Sequence, residues 1–479
     1  MTKMSIHTFK EELNSLTDFQ KEFHTTEHPK EKITSNFYQK FTKCTWYSNG
    51  LQRLKETSDG DEIVYTANNS LHFLMYSYLR DQTPTVRVKN KYIDKVKICW
   101  CHNLGINRIK KAYFREDEAD YQTFENIGLD IYFQFFEEPG AGKRNSRLQG
   151  IGNVPFLEEW TEYLPSIPIN FEQPWFYSNY SYTAFPLFLK DSTSRAEHRY
   201  IFRNYEDLLR IKILNKNDKW IELKSSSSVM RDLSEYLDFF YPKKSRVPEL
   251  WANYAYVTEP EIEFFKECAN LPPYYIRDME VCDETNVNKF KSTGILNLSC
   301  SHPCLSLFWV AQNADAAAKR NFSNYTTNSE SVYEGWDPIV TTSLKYGNDF
   351  KFENMESDHF NKGSSRKSFL SAPCEPGYHG YSYAKDPRNF DAEVGVALNR
   401  LNTSLICYLD DTNPFSNSNL RKYETVQKTD NELFSLTSSD SELSAESENT
   451  SFLLKARMYI VKKLTFEKLP DGRFTTIVI

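Results

Sequence analysis

The sequence predicts an all-β protein of two β-sandwiches in tandem, with a few short helices. Three observations point there. At 479 residues the chain is about twice the length of one sandwich, on domain sizes of roughly 100 to 250 residues. Phe, Tyr and Trp make up 15% of it, and such side chains suit pleated, half-buried surfaces better than helical bundles. Short runs of period-2 alternation recur between clusters of Asn, Gly, Pro and Ser, which is the pattern of sandwich strands and not of βαβ units.

Taken in order, residues 1–32 read as an N-terminal arm. Lys3, Lys10, Lys21, Lys30 and Lys32 alternate with Glu11, Glu12, Asp18, Glu22, Glu27 and Glu31, so the arm is near neutral and suited to contact neighbouring protein rather than phosphates. The first sandwich is expected over 33–241, with strands at Val96–Trp100, Leu129–Phe136 and Leu209–Leu214. The proline-bracketed stretch Pro242 to Pro248 is polar, and 242–249 is read as a linker. The second sandwich is expected over 250–479. It opens with a strand from Trp251 to Val257, then a capping box, Thr258-Glu259-Pro260-Glu261, leads into the amphipathic run Ile262, Phe264, Phe265 and Cys268. Further strands are expected at Val394–Leu401 and Met458–Phe466. Between them Asn413–Thr450 carries Asp440, Glu442, Glu446 and Glu448 without the apolar density to pack, and reads as a long acidic loop. The two halves share no visible sequence repeat, so any duplication is structural.

Composition excludes several roles. A net charge of -7 gives no positive field for a nucleic acid, so direct genome binding is not expected. The opening MTKMSIHTFKEELNSL holds no apolar core for a signal peptide, and no uncharged apolar run approaches the roughly 20 residues of a membrane span. Synthesis in the cytosol and no transmembrane segment are therefore expected. Nine cysteines, thinly spread, fit reduced and mostly buried thiols rather than a disulfide framework. The sequons at Asn68 and Asn324 are weak evidence for glycan.

Each chemical motif has a stronger plain reading. Cys300, His302 and Cys304 alternate as soft zinc ligands could, yet Pro303 interrupts them and no fourth ligand is near in sequence. Cys99 and Cys101 flank Trp100 and read as core. Gly140-Ala141-Gly142-Lys143-Arg144 is like a phosphate loop, but Arg144 stands where Ser or Thr should hold magnesium. No nucleophile elbow and no His-Glu-x-x-His pair is present. Trp175, Phe176, Tyr177, Tyr180 and Tyr182 could stack on sugars or bases, but core or subunit interface is the better use. The expectation is no catalytic, cofactor-binding or metal residue, no cofactor, and no enzyme.

Several segments resemble the double jelly-roll major capsid proteins of nucleocytoplasmic large DNA viruses and of Polinton-like and virophage-like elements. In the first half these are Val96 to Gly105 with Ile109 to Ala112, and Gln173-Pro174-Trp175-Phe176-Tyr177 with Ala184-Phe185-Pro186-Leu187. The second half offers Tyr254-Ala255-Tyr256-Val257 with Glu259, Glu261, Phe264 and Tyr274-Tyr275-Ile276. It also offers His302-Pro303-Cys304-Leu305-Ser306-Leu307-Phe308-Trp309-Val310-Ala311-Gln312, and Gly377 to Tyr383 followed by Pro387 and Asn399-Arg400-Leu401. Glu393-Val394-Gly395 departs from the family's Pro-Ser-Gly, and Asn399-Arg400 lacks its intervening Ser.

The resemblance implies two jelly rolls and a structural role: a homotrimer forming a pseudo-hexagonal capsomer of an icosahedral double-stranded DNA virus shell. Partners implied are neighbouring capsomers, penton and minor capsid proteins, in a virion assembled in the host cytoplasm or nucleus. A scaffold or minor capsid protein of the same lineage, or a carbohydrate-binding or carbohydrate-active sandwich, is the alternative. In the His302–Gln312 strand, alternation places Leu305, Leu307 and Trp309 between the sheets and turns Phe308 toward a neighbouring sandwich.

Overall fold

Alternating burial along short segments makes most of this chain strand. The computed structural model describes residues 48–67, 73–116, 119–136, 148–178, 183–188, 195–242, 247–256, 262–263, 266, 274–287, 292–300, 302–384, 387, 396, 402–410, 451–468 and 474–478. The arm 1–32, the acidic loop Asn413–Thr450, the capping box at Thr258 to Glu261 and the Gly140–Arg144 loop lie outside the described residues. So does the expected strand at Val394–Leu401, apart from Val396, which bridges to Cys304.

The first half contains β1 (Ser48–Arg53), β2 (Lys55–Asp59), β3 (Glu62–Thr66), β4 (Phe73–Gln82), β5 (Thr85–Val88), β6 (Val96–Trp100), β7 (Ile109–Glu116) and β8 (Ala119–Glu125). It continues with β9 (Tyr163–Leu164), β10 (Pro168–Glu172), β11 (Phe185–Pro186), β12 (Ala196–Phe202), β13 (Leu209–Leu214), β14 (Trp220–Glu222), β15 (Leu237–Phe240) and β16 (Glu249–Tyr256). The second half contains β17 (Tyr274–Val287), β18 (Ser292–Leu298), β19 (Cys304–Asn313), β20 (Ile339–Tyr346), β21 (Asp349–Glu356), β22 (Tyr378–Ser382), β23 (Thr403–Leu409), β24 (Phe452–Lys468) and β25 (Phe474–Val478). Three short helices position the junction between the halves: α1 (Leu104–Arg108), α2 (Asn126–Phe135) and α3 (Pro155–Glu158).

The two halves repeat one topology. In the first, β1-β16-β4-β10 form one sheet and β3-β12-β7-β8 the other, with β2 outside β3. In the second, β17-β24-β19-β22 form one sheet and β18-β23-β20-β21 the other. Counted within these eight-strand sets in chain order, both halves read 1-8-3-6 and 2-7-4-5, the strand order of a jelly roll of two four-stranded sheets. The strands expected at Val96–Trp100, Leu209–Leu214 and Met458–Phe466 all form. Two smaller sheets, β14-β13-β6 and β15-β5-β9, flank the first sandwich.

Three local expectations are corrected. The run Leu129–Phe136 is not a strand; most of it is helix α2. Ile127, Ile131 and Phe135 recur at every fourth residue and are all buried, the stripe of a helix resting on a core, while Gly128 lets Met279 approach to 3.3 Å of where a Cβ would stand. The strand beginning near Trp251 does not open the second sandwich. Trp251 pairs with Arg53 of β1 and with Tyr78 of β4, so this strand is the eighth of the first set, and the Tyr65 hydroxyl ties its approach by donating to the Pro248 carbonyl. A boundary at 242–249 therefore precedes the last strand of the first sandwich. Leu305, finally, does not share a face with Leu307 and Trp309, because the register of β19 against β24 shifts between Cys304 and Ser306 and such a bulge turns side chains over.

The buried side chains fall into two clusters. One fills the second sandwich, from Leu296, Leu307, Trp309, Leu344, Leu405 and Leu454. The other fills the first sandwich and runs on without a break into the outer face of the second half's sheet through Ile276, Leu305, Phe308 and Tyr459. The halves are thus joined by a continuous hydrophobic core.

Candidate functional site

The thiols and the imidazole of the Cys300–Cys304 motif have other partners. Cys300 Sγ lies 3.0 Å from the His302 carbonyl, Cys304 Sγ lies 3.3 Å from the Ser306 carbonyl, and the His302 ring turns to Glu280 at 3.6 Å. The backbone accepts the thiols and the imidazole faces elsewhere. Among the described residues no group of three His, Cys, Asp or Glu is placed to hold a metal ion. Cys99 is buried, and burial pushes its thiol up to about 12, far from reactive thiolate. The seven cysteines among the described residues are not joined in disulfides. Trp175, Phe176 and Tyr177 are buried core; Tyr180 and Tyr182 lie outside the described residues.

One constellation that the sequence did not announce looks catalytic at first sight. His379 Nε2 meets Asp337 Oδ2 at 2.8 Å and Ser357 Oγ at 2.5 Å, and Ser357 donates to the same Asp337 oxygen at 2.7 Å. A hydrolytic triad needs Ser and Asp on opposite ring nitrogens, so that the base can take the hydroxyl proton while the carboxylate holds the far N–H. Here both share Nε2, Nδ1 points at the Trp309 carbonyl at 3.2 Å, and His379 and Ser357 are buried. The cluster fastens β22 to β19 and to the segment before β20. A hollow of about 380 Å³ among the described residues is lined by Arg108, Asn204, Tyr205, Glu206, Asp207 and Tyr241. Arg108 and Tyr205 there already serve Asp81.

What the geometry does build is a junction. The edge strand β8 lies along β17: Gln122 Nε2 donates to the Arg277 carbonyl at 2.7 Å and the Thr123 N–H to Asp278 Oδ1 at 3.2 Å. Arg457, buried in β24, reaches Glu125 at 3.3 Å and Glu284 at 2.8 Å. Above this polar seam the last residue of α2, Phe135, and Phe136 just after it insert among Phe308, Phe369 and Tyr459, with ring centroids 4.5 to 5.7 Å apart. Gly380 makes room for them, since a Cβ there would stand 2.9 Å from Phe135 and 3.0 Å from Phe308 and Phe369.

The same helix anchors a buried polar knot. Asp130 accepts from Asn103 at 3.1 Å, Ser323 at 2.5 Å and Tyr325 at 2.9 Å. Burial pushes its carboxyl up to about 6, against the pull of the two hydroxyls. Beside it His102, fully buried, places Nδ1 2.7 Å from Glu158 of α3 and Nε2 3.1 Å from Glu375 of the second half. Two carboxylates facing the two ring nitrogens favour the doubly protonated, cationic imidazole. Burial opposes that charge, but Glu375 and Glu158 hold its pKa well above the ordinary value. Nothing in the local sequence signals this knot, because its members come from distant segments.

Outside the junction, large apolar side chains stand on the surface at Leu51, Ile295, Phe350 and Tyr408. Among the described residues no helix is long and apolar enough to cross a membrane.

Residues 270–442 match the family model described as large eukaryotic DNA virus major capsid protein. The chain is 26% identical over 380 residues to the major capsid protein of Simulium iridescent virus, covering 73% of this chain and 76% of that one. It is 25% identical over 399 residues to that of invertebrate iridescent virus 3, covering 78% and 82%. Among solved structures, the Faustovirus major capsid protein superposes with a TM-score of 0.62 at 8% identity, over 97% of this chain and 98% of that one. A subunit of the PBCV-1 virus capsid superposes with a TM-score of 0.60 at 11% identity, over 90% and 97%.

Proposed function

We propose that this chain, which belongs by sequence and fold with the major capsid proteins of large eukaryotic DNA viruses, builds the virion shell as a homotrimer in which six similar sandwiches give a capsomer of near-hexagonal outline. The observation that carries this reading is the internal repeat: two sandwiches of one strand order, set side by side through an edge strand and a helix. Two similar units per chain become six around a closed threefold axis. The family is a structural one, and in the buried His379 cluster Ser357 and Asp337 share one ring nitrogen, unlike the members of a hydrolytic triad.

In this reading the sandwich boundary falls between Tyr256 and Tyr274. The acidic segment Asn413–Thr450 faces outward on the capsomer, the arm 1–32 contacts neighbouring protein, and the capsomer walls meet neighbouring capsomers, penton and minor capsid proteins. Light scattering and electron cryo-microscopy of the purified chain test it. Three times the 56.2 kDa chain mass and a hexagonal projection are expected; a chain that stays monomeric at every accessible concentration overturns the reading.

A further inference from the structure

Two charged side chains of the second sandwich stand in a reactive arrangement. Asp278 of β17 and Lys462 of β24 lie on paired strands, where the register sets Asp278 against Ile460 and Ile276 against Lys462. Residues two apart along such a pair present their side chains to one face, and Lys462 Nζ there meets Asp278 Oδ2 at 2.5 Å. Both side chains are withdrawn from water, Asp278 being 2% and Lys462 14% exposed. The flanking Ile276 and Ile460 are wholly buried.

The other carboxyl oxygen is held as well. Asp278 Oδ1 accepts from the Thr123 N–H of β8 at 3.2 Å and from the Met279 N–H at 2.9 Å. A second carboxylate, Glu280, lies 3.5 Å from the same Nζ, and the His302 ring lies 3.6 Å from Glu280. Glu280 and His302 are half-buried, so a line of proton-carrying groups leads from the buried pair toward solvent. These are the parts that amide formation needs: an amine against a carboxyl group, two N–H donors on the oxygen that takes up charge, and an acid–base group beside the amine.

We infer that Lys462 and Asp278 are joined by an isopeptide bond, which the folded chain forms without a further reagent. Burial raises the Asp278 carboxyl above its ordinary value, against the pull of Lys462. Burial also opposes the Lys462 charge, which Asp278 and Glu280 sustain. The resting pair is therefore ionic, and its reactive form is reached when one proton passes from Nζ to Oδ2 along the 2.5 Å contact. Nζ then attacks Cγ, and the electron pair of the carbonyl moves to Oδ1, where the N–H groups of Thr123 and Met279 hold the charge. Glu280 takes a second proton from the nitrogen and delivers it to Oδ2, which leaves as water while the carbonyl re-forms. One C–N bond forms and one C–O bond breaks; no electron is gained or lost, and Glu280 is a carboxylate again.

The fixed geometry acts as an effective concentration on the order of 10⁵ M or more, and the neutral amide relieves the burial of two charges. The bond ties the first strand of the second sandwich to its eighth and closes most of that half into one covalent loop. A cross-link restricts the unfolded chain more the longer the loop it closes. Because Thr123 belongs to the first half, the bond forms only once the halves have docked. It goes beyond the capsid reading and does not depend on how many copies assemble.

The test is a peptide map of the full-length parent chain, purified folded and then denatured and cut with trypsin. Residues 278–289 and 458–463 should be recovered as one branched species, lighter than the two peptides together by one water. Lys462→Arg keeps the cation and removes the nucleophile, so its peptides should come apart. Glu280→Gln keeps the size and removes the relay, so its cross-linked fraction should be smaller at every time after purification. Far-ultraviolet dichroism establishes that each variant folds, and should Lys462→Arg fail to fold, the map of the parent still decides. A folded parent whose two peptides stay separate after prolonged incubation overturns the inference. So does a loss of water that persists in Lys462→Arg, and a Glu280→Gln chain that cross-links as fast as the parent overturns the relay.

Discussion

Phe308 of the second sandwich and Phe135 of the first meet with ring centroids 4.8 Å apart, and neither side chain is exposed. The pair lies at the centre of the junction, inside a single chain, so Phe308 serves folding before it can serve assembly. Phe308→Ala should cost about 3–5 kcal/mol, the usual loss for a buried aromatic and the cavity it leaves. Phe308→Asp adds an unpaired buried charge and should abolish soluble expression. Denaturant unfolding of the Ala variant checks this; an unchanged midpoint would show that the junction contributes nothing to stability.

How far the sequence reveals this junction depends on the range of the interaction. Strands such as Leu209–Leu214 and Met458–Phe466 are legible because alternation along five or six residues is a local property of a half-buried strand. Helix α2 is misread from the same cue, since Leu129, Ile131 and Phe133 alternate while Ile127, Ile131 and Phe135 also repeat every fourth residue, and a short apolar run satisfies both periods. Trp251 is recognisable as strand, but the sheet it joins is decided by Arg53 and Tyr78, far away in sequence. Phe308 is legible as an aromatic pointing at a neighbour; that the neighbour is Phe135 on a helix is not. The bulge that turns Leu305 over, and the His102 knot, depend on register and on distant carboxylates, which no local pattern carries.

The His102 knot makes stability fall on the alkaline side. A folded-state pKa raised above the ordinary 6.5 means that the stabilisation is complete below that value and is lost as pH rises through the higher folded value. His102→Gln removes the cation and leaves Glu158 and Glu375 facing each other. The variant should therefore be less stable than the parent at pH 6.5, with the gap narrowing steadily as pH rises above it. Melting curves of both proteins from pH 6.5 to 10 measure the gap; a constant difference would mean that His102 is not protonated in the fold.

Arg210 and Glu222 form a buried bidentate pair on β13 and β14 at 2.7 and 3.1 Å, and the same guanidinium donates to the Glu330 carbonyl of the second half at 2.7 Å. Removing one partner leaves the other charge buried and alone, so Arg210→Met should cost about 3–5 kcal/mol. Arg210→Met with Glu222→Leu should recover most of that loss, because an apolar pair needs no compensation. A double variant as unstable as the single one would shift the importance to the Glu330 contact.

Ser357 should not react as a nucleophile. Its hydroxyl shares His379 Nε2 with Asp337 and is buried, so the native chain should take up no fluorophosphonate, and Ser357→Ala should alter melting but not labelling. Stoichiometric labelling lost in the variant would reopen the question of enzymatic activity.

Shortening the acidic segment should leave assembly intact. The described residues nearest it on either side are held by backbone bonds: the Asp410 N–H donates to the Pro338 carbonyl at 2.9 Å, and the Ser451 carbonyl accepts from the Ala314 N–H at 3.0 Å. The strands on either side are therefore held without help from the residues between them. Loop closure costs change slowly with length, so replacing residues 430–448 with a short Gly-Ser bridge adds little strain. The deletion removes Asp440, Glu442, Glu446 and Glu448, whose charges would repel their symmetry mates if crowded at a threefold centre and which water solvates at little cost on an outward face. The shortened chain should assemble to the same number of copies as the parent in light scattering and keep its melting temperature within a few degrees. Monomers from the deletion would place this segment among the contacts between chains, and the outward position would have to be given up.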